Sequence, residues 1–329
     1  MPYRFAIVGC GNIAARHAAA IQQVGSVAGV CDSEGSRAQR LAEQFSSAAY
    51  NDIRHLLSAT RPDVAVICTP SAFHPEHSIA AMSAGCHVLC EKPMALSSAD
   101  AVRMMDAAKK LNRRLFIVNQ NRYNAPVQLL RNLLLEKRLG KVYSFQINCF
   151  WNRNDSYYKE SPWHAKALLS GGTLFTQFSH FVDLLCWLLG DIRSVSGSRA
   201  NFNHKNVIDF EDTGVAHLLL YNGSIGTIHY TVNAHSSNME GSFTIFAEKG
   251  TVKIGGHYLN TIEYFDVEGL GTDDWQEAVA PPPVNRHVSV YAELNKALQS
   301  GGGSVADGSE GLKAVRAIEM IYDACPMIQ

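Results

Sequence analysis

The fold is decided by the stretch Gly9-Cys10-Gly11-Asn12-Ile13-Ala14, a glycine-rich turn close to the start of the chain. The apolar run Tyr3 to Val8 before it predicts a buried strand, and helical spacing over Ile13 to Val24 follows it. Gly9 permits the tight turn, Gly11 lets the backbone approach a pyrophosphate, and the alanine lets the helix pack close to the strand. Free N–H groups at the helix start attract phosphate. The stretch therefore favours a dinucleotide-binding unit over an ordinary strand–turn–helix whose glycines serve packing only.

An acidic residue stands where the ribose of such a cofactor is expected. A second strand, Val27 to Cys31, ends at Asp32, about 20 residues beyond the turn. A carboxylate at this place binds the adenosine ribose hydroxyls and repels a 2′-phosphate, so the sequence favours NAD over NADP. Arg37, a nearby cation, weakens that preference.

The composition narrows the class of protein. The 329 residues carry a formal net charge of −1, so nothing indicates nucleic acid or an anionic membrane as a partner. The longest apolar stretch, Phe181 to Leu189, contains Asp183 and is too short to cross a bilayer. The eight cysteines form no CxxC pair, and the 13 histidines show no metal-ligand spacing. We therefore expect a cytoplasmic protein without disulfides, bound metal or signal peptide.

The first part of the chain, residues 1–119, alternates short apolar strands with helices. Strands are predicted at Val64 to Cys68, Val88 to Cys90 and Leu115 to Asn119, with helices at Pro75 to Ala84 and Ser98 to Leu111. This rhythm is typical of a doubly wound parallel sheet of the Rossmann type. Ligands of such sheets bind at the carboxyl ends of the strands.

The pattern changes in residues 120–329. Two hairpins are predicted, one turning at Asn222-Gly223 and one at Glu248-Lys249-Gly250, and Val142 to Trp151 alternates apolar with polar residues. The second domain is therefore expected to be α/β with an open-faced, mainly antiparallel sheet. The open face needs a cover, and pairing of subunits provides one, so we expect a homo-oligomer, preferably a tetramer.

Three segments of the first domain carry polar side chains just after predicted strands. They contain Ser71 and His74, then Glu91-Lys92-Pro93, then Asn121. Loop residues at strand ends often carry function. The Lys92 ammonium is expected at the sheet edge facing the cleft, although most lysines in such positions are simply exposed to solvent.

The second domain offers a histidine on a helix that follows Gly171-Gly172. Thr176, His180 and Asp183 have the spacing of one helix face. An imidazole between two polar groups is suited to carry a proton. Spacing alone equally fits a buried histidine that is satisfied by local hydrogen bonds.

Together these motifs resemble those of the Gfo/Idh/MocA oxidoreductases, and the resemblance covers essentially the whole chain. Within that family the sequence is similar to the UDP-N-acetylglucosaminuronate 3-dehydrogenases of surface-polysaccharide pathways. The segments that carry this likeness are Asn119 to Asn124, Phe150 to Arg153, Tyr157-Tyr158, Pro162-Trp163, Thr176 to His180, Asn238 to Ser242 and Gly250 to Val252.

The resemblance implies a Rossmann domain followed by an open-faced α/β domain, tightly held NAD, and an active site between the two domains. It implies that Lys92 and His180 are catalytic and that Pro93 follows a cis peptide bond. The implied cofactor residues are Gly9, Gly11, Asn12, Ile13, Asp32, Ser71, His74, Glu91 and Lys92.

For the substrate, the resemblance implies contacts from Lys92, Thr176 and His180. Arg153 and Asn121 are expected to meet carboxylate or diphosphate charge, and Tyr158 and Trp163 to stack on uracil or sugar. The alternative for each is plain: the two rings are packing residues and Arg153 is a solvated loop charge.

Two positions depart from the family pattern. Many members carry a carboxylate four residues before the histidine, where this chain has Thr176. A hydroxyl orients an imidazole but does not stabilise its charge as a carboxylate does, which leaves Lys92 and His180 as the core pair. Close relatives often show Trp-Arg-Gly where this chain has Trp163-His164-Ala165, so the anion contact is lost or supplied elsewhere, by Arg153 or Lys166.

The expected reaction is oxidation of the C3 hydroxyl of a UDP-linked N-acetylated hexuronate. His180 takes the hydroxyl proton while hydride leaves for the nicotinamide, and Lys92 stabilises the developing alkoxide. Three alternatives remain open at this point: a dehydrogenase of an inositol or free aldose on the same fold, an NAD-dependent glycosidase, and a non-catalytic NAD sensor.

Overall fold

The computed structural model describes residues 2–271 and 285–328. The chain divides into two compact units, the first formed by Met1–Gln120 with Pro283–Val315 and the second by Asn121–Pro282 with Arg316–Gln329.

The first unit is built on a six-stranded parallel sheet. Its strands are β1 (Tyr3–Val8), β2 (Gly25–Cys31), β3 (Ala48–Tyr50), β4 (Val64–Ile67), β5 (His87–Cys90) and β6 (Leu115–Ile117), in the order β3-β2-β1-β4-β5-β6. The central strands are buried on both faces, as the continuous apolar runs require: every residue of β4 is 0% exposed. This confirms the predicted doubly wound sheet.

Helices connect these strands. They are α1 (Ala14–Ile21), α2 (Gly35–Gln44), α3 (Ile53–Thr60), α4 (His74–Ser83) and α5 (Ser98–Lys110). The α5 helix begins where predicted, and its N-cap is Ser97, whose hydroxyl accepts the amide of Asp100 at 3.1 Å. A later helix, α10 (His287–Ser300), also belongs to the first unit.

The second unit contains an eight-stranded sheet. Its strands are β7 (Val142–Phe150), β8 (Ile192–Ala200), β9 (Thr213–Leu220), β10 (Ile225–Thr231), β11 (Glu240–Ala247), β12 (Gly250–Gly255), β13 (Thr261–Val267) and β14 (Met327–Ile328), in the order β13-β12-β11-β7-β10-β9-β8-β14. The helices of this unit are α6 (Ala125–Leu135), α7 (Asp155–Glu160), α8 (Ala167–Ser170) and α9 (Ser179–Leu189). The last helix, α11 (Gly308–Ala324), begins in the first unit and belongs to the second from Arg316 onward.

Both predicted hairpins are present, as the antiparallel pairs β9–β10 and β11–β12. The sheet is mainly antiparallel, with two parallel pairs, β7–β10 and β8–β14. One face carries the core, which includes the fully buried rings of Tyr230 and Phe243. The other face carries partly exposed side chains, among them Ile225 and Phe246, beside the buried Ser242 and Thr244, so the open-faced sheet is confirmed.

Candidate active site

The glycine turn lies directly at the carboxyl end of β1 and has no space for larger residues at its first position. Gly9 has a φ of +95°, and a Cβ atom there would lie 2.6 Å from the backbone carbonyl of Cys68. The position beyond it is open, because a Cβ on Gly11 would meet nothing within 4 Å. Gly11 and Asn12 are exposed, and Ile13 is the residue before α1. A tight turn with an open, glycine-lined side next to a helix N-terminus fits the pyrophosphate of a dinucleotide.

Asp32 stands at the end of β2 and holds the turn together. Its Oδ2 accepts the Cys10 amide at 2.8 Å and its Oδ1 accepts the Glu34 amide at 2.9 Å. Arg37 pairs with the Glu34 carboxylate at 2.8 Å, so that cation is already partnered by a neighbour on the chain. The carboxylate thus lies beside the turn, as expected for a ribose-binding acid.

The segment after β4 is anchored by His74. Its ring nitrogens lie 2.7 Å from the Pro93 carbonyl and 2.9 Å from the Thr69 carbonyl, and the residue is 1% exposed. Ser71 is also buried, at 3% exposed. The imidazole therefore joins the loop after β4 to the loop after β5.

The turn after β5 presents Lys92. Lys92 is half-buried, and its peptide bond with Pro93 is cis, as the resemblance implies. The carboxylate of Glu91 is turned into the protein, where its Oε1 lies 2.8 Å from His17 Nε2 and its Oε2 accepts the Lys92 amide at 3.1 Å. Neighbours within the protein therefore already engage the Glu91 side chain.

In the second unit, the Arg153 guanidinium is held on several sides. It lies 4.9 Å from the ring centroids of both Trp151 and Tyr157. Its Nε donates to Gln177 Oε1 at 2.7 Å and its Nη1 to Asn238 Oδ1 at 3.1 Å. It forms no ion pair with any carboxylate in the part of the chain that the structure describes. A rigidly held, half-buried cation that forms no ion pair within the described residues is suited to bind an anion.

The amide of Gln177 links this arginine to the helix of His180. Besides accepting from Arg153, Gln177 donates from its Nε2 to the Tyr157 hydroxyl at 2.7 Å. Gln177 belongs to a π-helical turn, Leu174–Phe178, that leads into α9. Short π-helical turns inside helices are frequent at functional sites.

The surroundings of His180 differ from those that simple helical spacing predicts. The residue is 6% exposed near the start of α9. Asp183 forms a two-pronged ion pair with Arg122, with N–O distances of 2.8 and 2.7 Å. The Thr176 hydroxyl lies 2.9 Å from each of two backbone carbonyls, those of Ser170 and Gly172. The hydroxyl and the carboxylate on either side of His180 therefore have structural partners of their own.

One expected substrate contact needs correction. The ring of Tyr158 is 3% exposed and packs in a small core with Ala165, Ile208 and Phe210, so it does not present a face for stacking on a ligand. The neighbouring Tyr157, which sequence reasoning did not single out, is the ring beside Arg153. Because the short helix α7 leaves one of two adjacent tyrosines half-buried and buries the other, the motif alone does not distinguish them.

The other expected substrate residues have different degrees of exposure. Trp163 is half-buried with its ring centroid 3.9 Å from that of His164, and Asn121 is 5% exposed in the turn Gln120–Tyr123. Lys166, the second candidate for the anion contact, is exposed.

Two further groups escaped prediction. His204 supports the Arg153 segment, because its Nε2 donates to the Arg153 carbonyl at 2.8 Å while its Nδ1 donates to Asp212 at 3.1 Å. The hydrogen bond to Asp212 raises the pKa of His204. In the first unit, ligand-type atoms of His17, Glu91 and His287 lie within 4.8 Å of one another. His204 lies 51 residues from Arg153, and His17, Glu91 and His287 are further apart still, so no local signal reveals either group.

Comparison with known proteins gives the family. A model of an oxidoreductase family with an NAD-binding Rossmann fold matches residues 3–119, and a model of the GFO/IDH/MocA C-terminal domain matches residues 127–253. The WlbA dehydrogenase of Bordetella pertussis, crystallised with NADH and UDP-GlcNAcA, is 34% identical, with 98% of this chain and 96% of that chain covered and a TM-score of 0.89. The WlbA dehydrogenase of Chromobacterium violaceum, crystallised with the same two ligands, is also 34% identical, with 98% and 93% covered and a TM-score of 0.93.

A curated relative of similar length is the D-glucoside 3-dehydrogenase of Escherichia coli, 28% identical over 98% of this chain and 95% of its own. The chain therefore belongs to the Gfo/Idh/MocA oxidoreductase family and is an NAD-dependent enzyme. None of the helices in residues 2–271 and 285–328 has the length and apolar character needed to span a membrane.

Proposed function

We propose that this NAD-dependent sugar oxidoreductase oxidises the C3 hydroxyl of UDP-2-acetamido-2-deoxy-D-glucuronate to the 3-keto sugar. The observation that carries the proposal is the Arg153 guanidinium, held by two rings and two amide side chains and not neutralised by a carboxylate among the described residues. A neutral inositol or free aldose has no group that needs such a cation, whereas a nucleotide-linked uronate carries a diphosphate and a carboxylate. The two WlbA structures, which hold UDP-GlcNAcA, support the same substrate class.

The chemistry is proposed to rest on two side chains. His180 takes the proton of the C3 hydroxyl as a general base, and Lys92 donates to the same oxygen and stabilises its developing negative charge. When bound, NAD supplies the redox chemistry by accepting hydride from the carbinol carbon.

The cofactor is proposed to be held by residues at the strand ends of the first unit. Gly9, Gly11, Asn12 and Ile13 surround the pyrophosphate, and Asp32 binds the adenosine ribose. Ser71, His74, Glu91 and Lys92 are proposed to border the cofactor. The contacts of His74 and Glu91 inside the protein (with two backbone carbonyls and with His17) support an indirect role for their side chains, which shape the loops that meet the cofactor.

Substrate binding is proposed to centre on Arg153, with Asn121 and Trp163 as further substrate contacts and Tyr157 in the place first expected for Tyr158. Thr176 contributes by fixing the turn before His180, since its hydroxyl is bonded to the backbone. Arg153 is favoured over Lys166 as the anion contact because Arg153 is held in one orientation and Lys166 is exposed.

A substrate panel tests the proposal. The purified enzyme is incubated with NAD and, separately, UDP-GlcNAcA, UDP-GlcNAc, myo-inositol, glucose and a methyl glucoside, and NADH formation is followed. Of these compounds, we expect only UDP-GlcNAcA to give fast reduction of NAD. The glucoside is the second candidate, because the E. coli relative is a D-glucoside 3-dehydrogenase. Fast oxidation of a neutral sugar without oxidation of UDP-GlcNAcA contradicts the proposal, and release of free sugar without net NADH indicates a glycosidase.

We also propose that the chain self-associates through the open face of its second sheet. Ile225 and Phe246 flank Ser144 on neighbouring strands and are 58% and 44% exposed, and Tyr264 further along is 52% exposed. A second copy of the same face is the proposed cover, in a tetramer. Light scattering after chromatography tests this: Ile225→Glu with Phe246→Glu should give a smaller species, while the control Tyr221→Glu, 74% exposed in a hairpin turn, should not. A wild-type monomer overturns it.

The protein is proposed to act in the cytoplasm, in the synthesis of a surface polysaccharide. All eight cysteines are free thiols, which suits a reducing compartment. The nucleotide-sugar substrate proposed above is the activated form that such synthesis uses. Fractionation of cells that express a tagged chain tests the compartment, and enrichment with the envelope contradicts it.

A further inference from the structure

Three buried side chains of the first unit converge on the carboxylate that precedes Lys92. His17 comes from α1, the helix that follows the phosphate turn, and His287 and Tyr291 come from α10. They are 0%, 2% and 0% exposed, and Glu91 itself is 8% exposed. The two histidines and the tyrosine have no role in the reaction proposed above. Burying four polar side chains together costs free energy unless they form hydrogen bonds with one another.

Three of the side chains, Tyr291, His17 and Glu91, form one chain of hydrogen bonds, and His287 lies against its end. Tyr291 Oη lies 2.8 Å from His17 Nδ1, and His17 Nε2 lies 2.8 Å from Glu91 Oε1. His287 Nε2 lies 3.4 Å from the same carboxylate oxygen. The other oxygen of Glu91 accepts the backbone amide of Lys92 at 3.1 Å. A continuous path of contacts therefore runs from α10 through α1 to the backbone of Lys92.

The direction of the hydrogen bonds follows from the protonation states. Burial lowers the pKa of His17 and keeps its ring neutral. Burial alone would raise the pKa of Glu91, but the hydrogen bond with His17 and the nearby His287 outweigh that effect and hold its pKa well below the usual range. An ionised carboxylate only accepts, so the single ring proton of His17 sits on Nε2. His17 Nδ1 then accepts from the Tyr291 hydroxyl.

We propose that His17 and Tyr291 are positioning residues for Lys92: through Glu91 they hold the backbone at the end of β5 in the orientation that presents the ammonium to the substrate. The proposal rests on the catalytic role of Lys92 proposed above. Each bond in the path fixes the next group, because Tyr291 orients the imidazole, the imidazole orients the carboxylate, and the carboxylate holds the Lys92 amide. Both anchors lie within helices, which are stiffer than the turn that they support.

The same atoms also match the ligand types of a divalent cation, two imidazoles and one carboxylate. The hydrogen bonds account for His17 without an ion, since one of its nitrogens is bonded to Tyr291 and the other donates to Glu91. His287 Nε2 lies 3.4 Å from the carboxylate and makes no hydrogen bond within the described residues. The two explanations predict different properties of the purified enzyme, which the experiment separates.

The test is a double-mutant cycle on turnover of UDP-GlcNAcA, with His17→Ala and Tyr291→Phe made in wild type and in Lys92→Ala. In wild type, we expect His17→Ala to lower kcat roughly 10- to 100-fold and Tyr291→Phe less, with NAD affinity changed only a few-fold. His17→Gln, whose amide still donates to Glu91, should recover part of the loss. In the Lys92→Ala background, neither change should slow the enzyme further, because a residue that acts through Lys92 has no effect once the ammonium is gone.

A matched control separates positioning from plain stability. Thr60 is a buried residue of the same unit whose hydroxyl donates to the Leu56 carbonyl at 2.7 Å. Thr60→Val should lower the melting temperature without changing kcat per NAD-binding site. If His17→Ala and Tyr291→Phe behave like this control, the positioning role is wrong. If His17→Ala does not fold, Tyr291→Phe, which removes one oxygen, decides the question alone.

The remaining outcomes are equally decisive. If His17→Ala or Tyr291→Phe lowers kcat by the same factor in Lys92→Ala as in wild type, the positioning role is wrong and the proposed function stands. Wild-type turnover in Lys92→Ala itself overturns the proposed function of that residue. Stoichiometric metal in the purified enzyme, with activity lost on chelation and restored by Zn²⁺ or Mn²⁺, shows that the cluster is a metal centre and also overturns the inference.

Discussion

Replacing Arg153 by methionine tests the substrate proposal at the residue on which it depends. The guanidinium donates to Gln177 and Asn238 and lies against Trp151 and Tyr157. Methionine retains much of the contact with the two rings but removes the charge and all donors. Lysine at the same place keeps the charge but loses the planar fork that stacks and forms paired hydrogen bonds.

The size of the effect follows from the strength of a charge-assisted hydrogen bond. A hydrogen bond to a charged group contributes about 1.5–3 kcal/mol. Since 1.4 kcal/mol is a factor of ten, Arg153→Met should raise KM for UDP-GlcNAcA roughly 10- to 150-fold. The KM of Arg153→Lys should lie between that of Arg153→Met and that of the wild type.

The assay is steady-state NADH formation, with UDP tested as an inhibitor in the same reactions. If Arg153 binds the diphosphate, the inhibition constant of UDP rises together with KM. If it binds the uronate carboxylate, KM rises and the inhibition constant of UDP does not. Lys166→Met is the matched control and should leave both unchanged, because Lys166 is exposed. The reasoning is refuted if Arg153→Met is folded, binds NAD and has wild-type KM, or if Lys166→Met shows the larger loss.

Three further outcomes are expected. Asp32→Ser should lower the ratio of kcat/KM for NAD to that for NADP at least about tenfold, because it removes a negative charge that opposes the 2′-phosphate. If kinetic assays with both dinucleotides give an unchanged ratio, Asp32 does not bind the adenosine ribose. Thr176→Asp, which installs the carboxylate common in the family, should cost about 1–3 kcal/mol of stability and should not raise turnover. The reason is that an ionised side chain would face backbone carbonyls that now accept from the hydroxyl. A rise in both melting temperature and kcat contradicts this prediction. The raised pKa of His204, caused first by its hydrogen bond with Asp212, contributes stability that is fully present below the unfolded value of 6.5 and is lost as pH rises through the folded pKa. The melting temperature of the wild type should therefore fall as pH rises over that range, and that of His204→Asn should change less. Parallel profiles for the two proteins count against a stabilising imidazolium.

Much of the fold could be predicted because its signals are local. The turn at Gly9 needs a residue without a side chain for a reason visible in the structure, the nearby backbone of Cys68. The hairpin at Asn222-Gly223 follows from turn chemistry of the same kind. Four strands, β3, β8, β13 and β14, are absent from the sequence prediction. The strands β3 and β14 have only three and two residues, and β8 is largely polar, with the sequence Ile-Arg-Ser-Val-Ser-Gly-Ser-Arg-Ala. The parallel pairing of β7 with β10 was missed because it joins strands that are distant in the chain.

The candidate site was predictable where a motif names the residue and less so where contacts decide its surroundings. Lys92 and His180 follow from motifs. The holders of Arg153 do not, because Gln177 and Asn238 lie 24 and 85 residues further along the chain. The π-helical turn before α9 also changes the spacing that a regular helix predicts around His180. Long-range contacts and irregular helix geometry therefore account for what the sequence did not reveal.

The most direct test of the central claim uses UDP-GlcNAcA carrying deuterium at C3 of the sugar. After one turnover with NAD, the NADH is isolated and its mass measured. Oxidation at C3 predicts that the NADH carries one deuterium and that sugar labelled at C2 or C4 gives unlabelled NADH. Unlabelled NADH from the C3-deuterated sugar, or transfer of label from C2 or C4, would contradict the account.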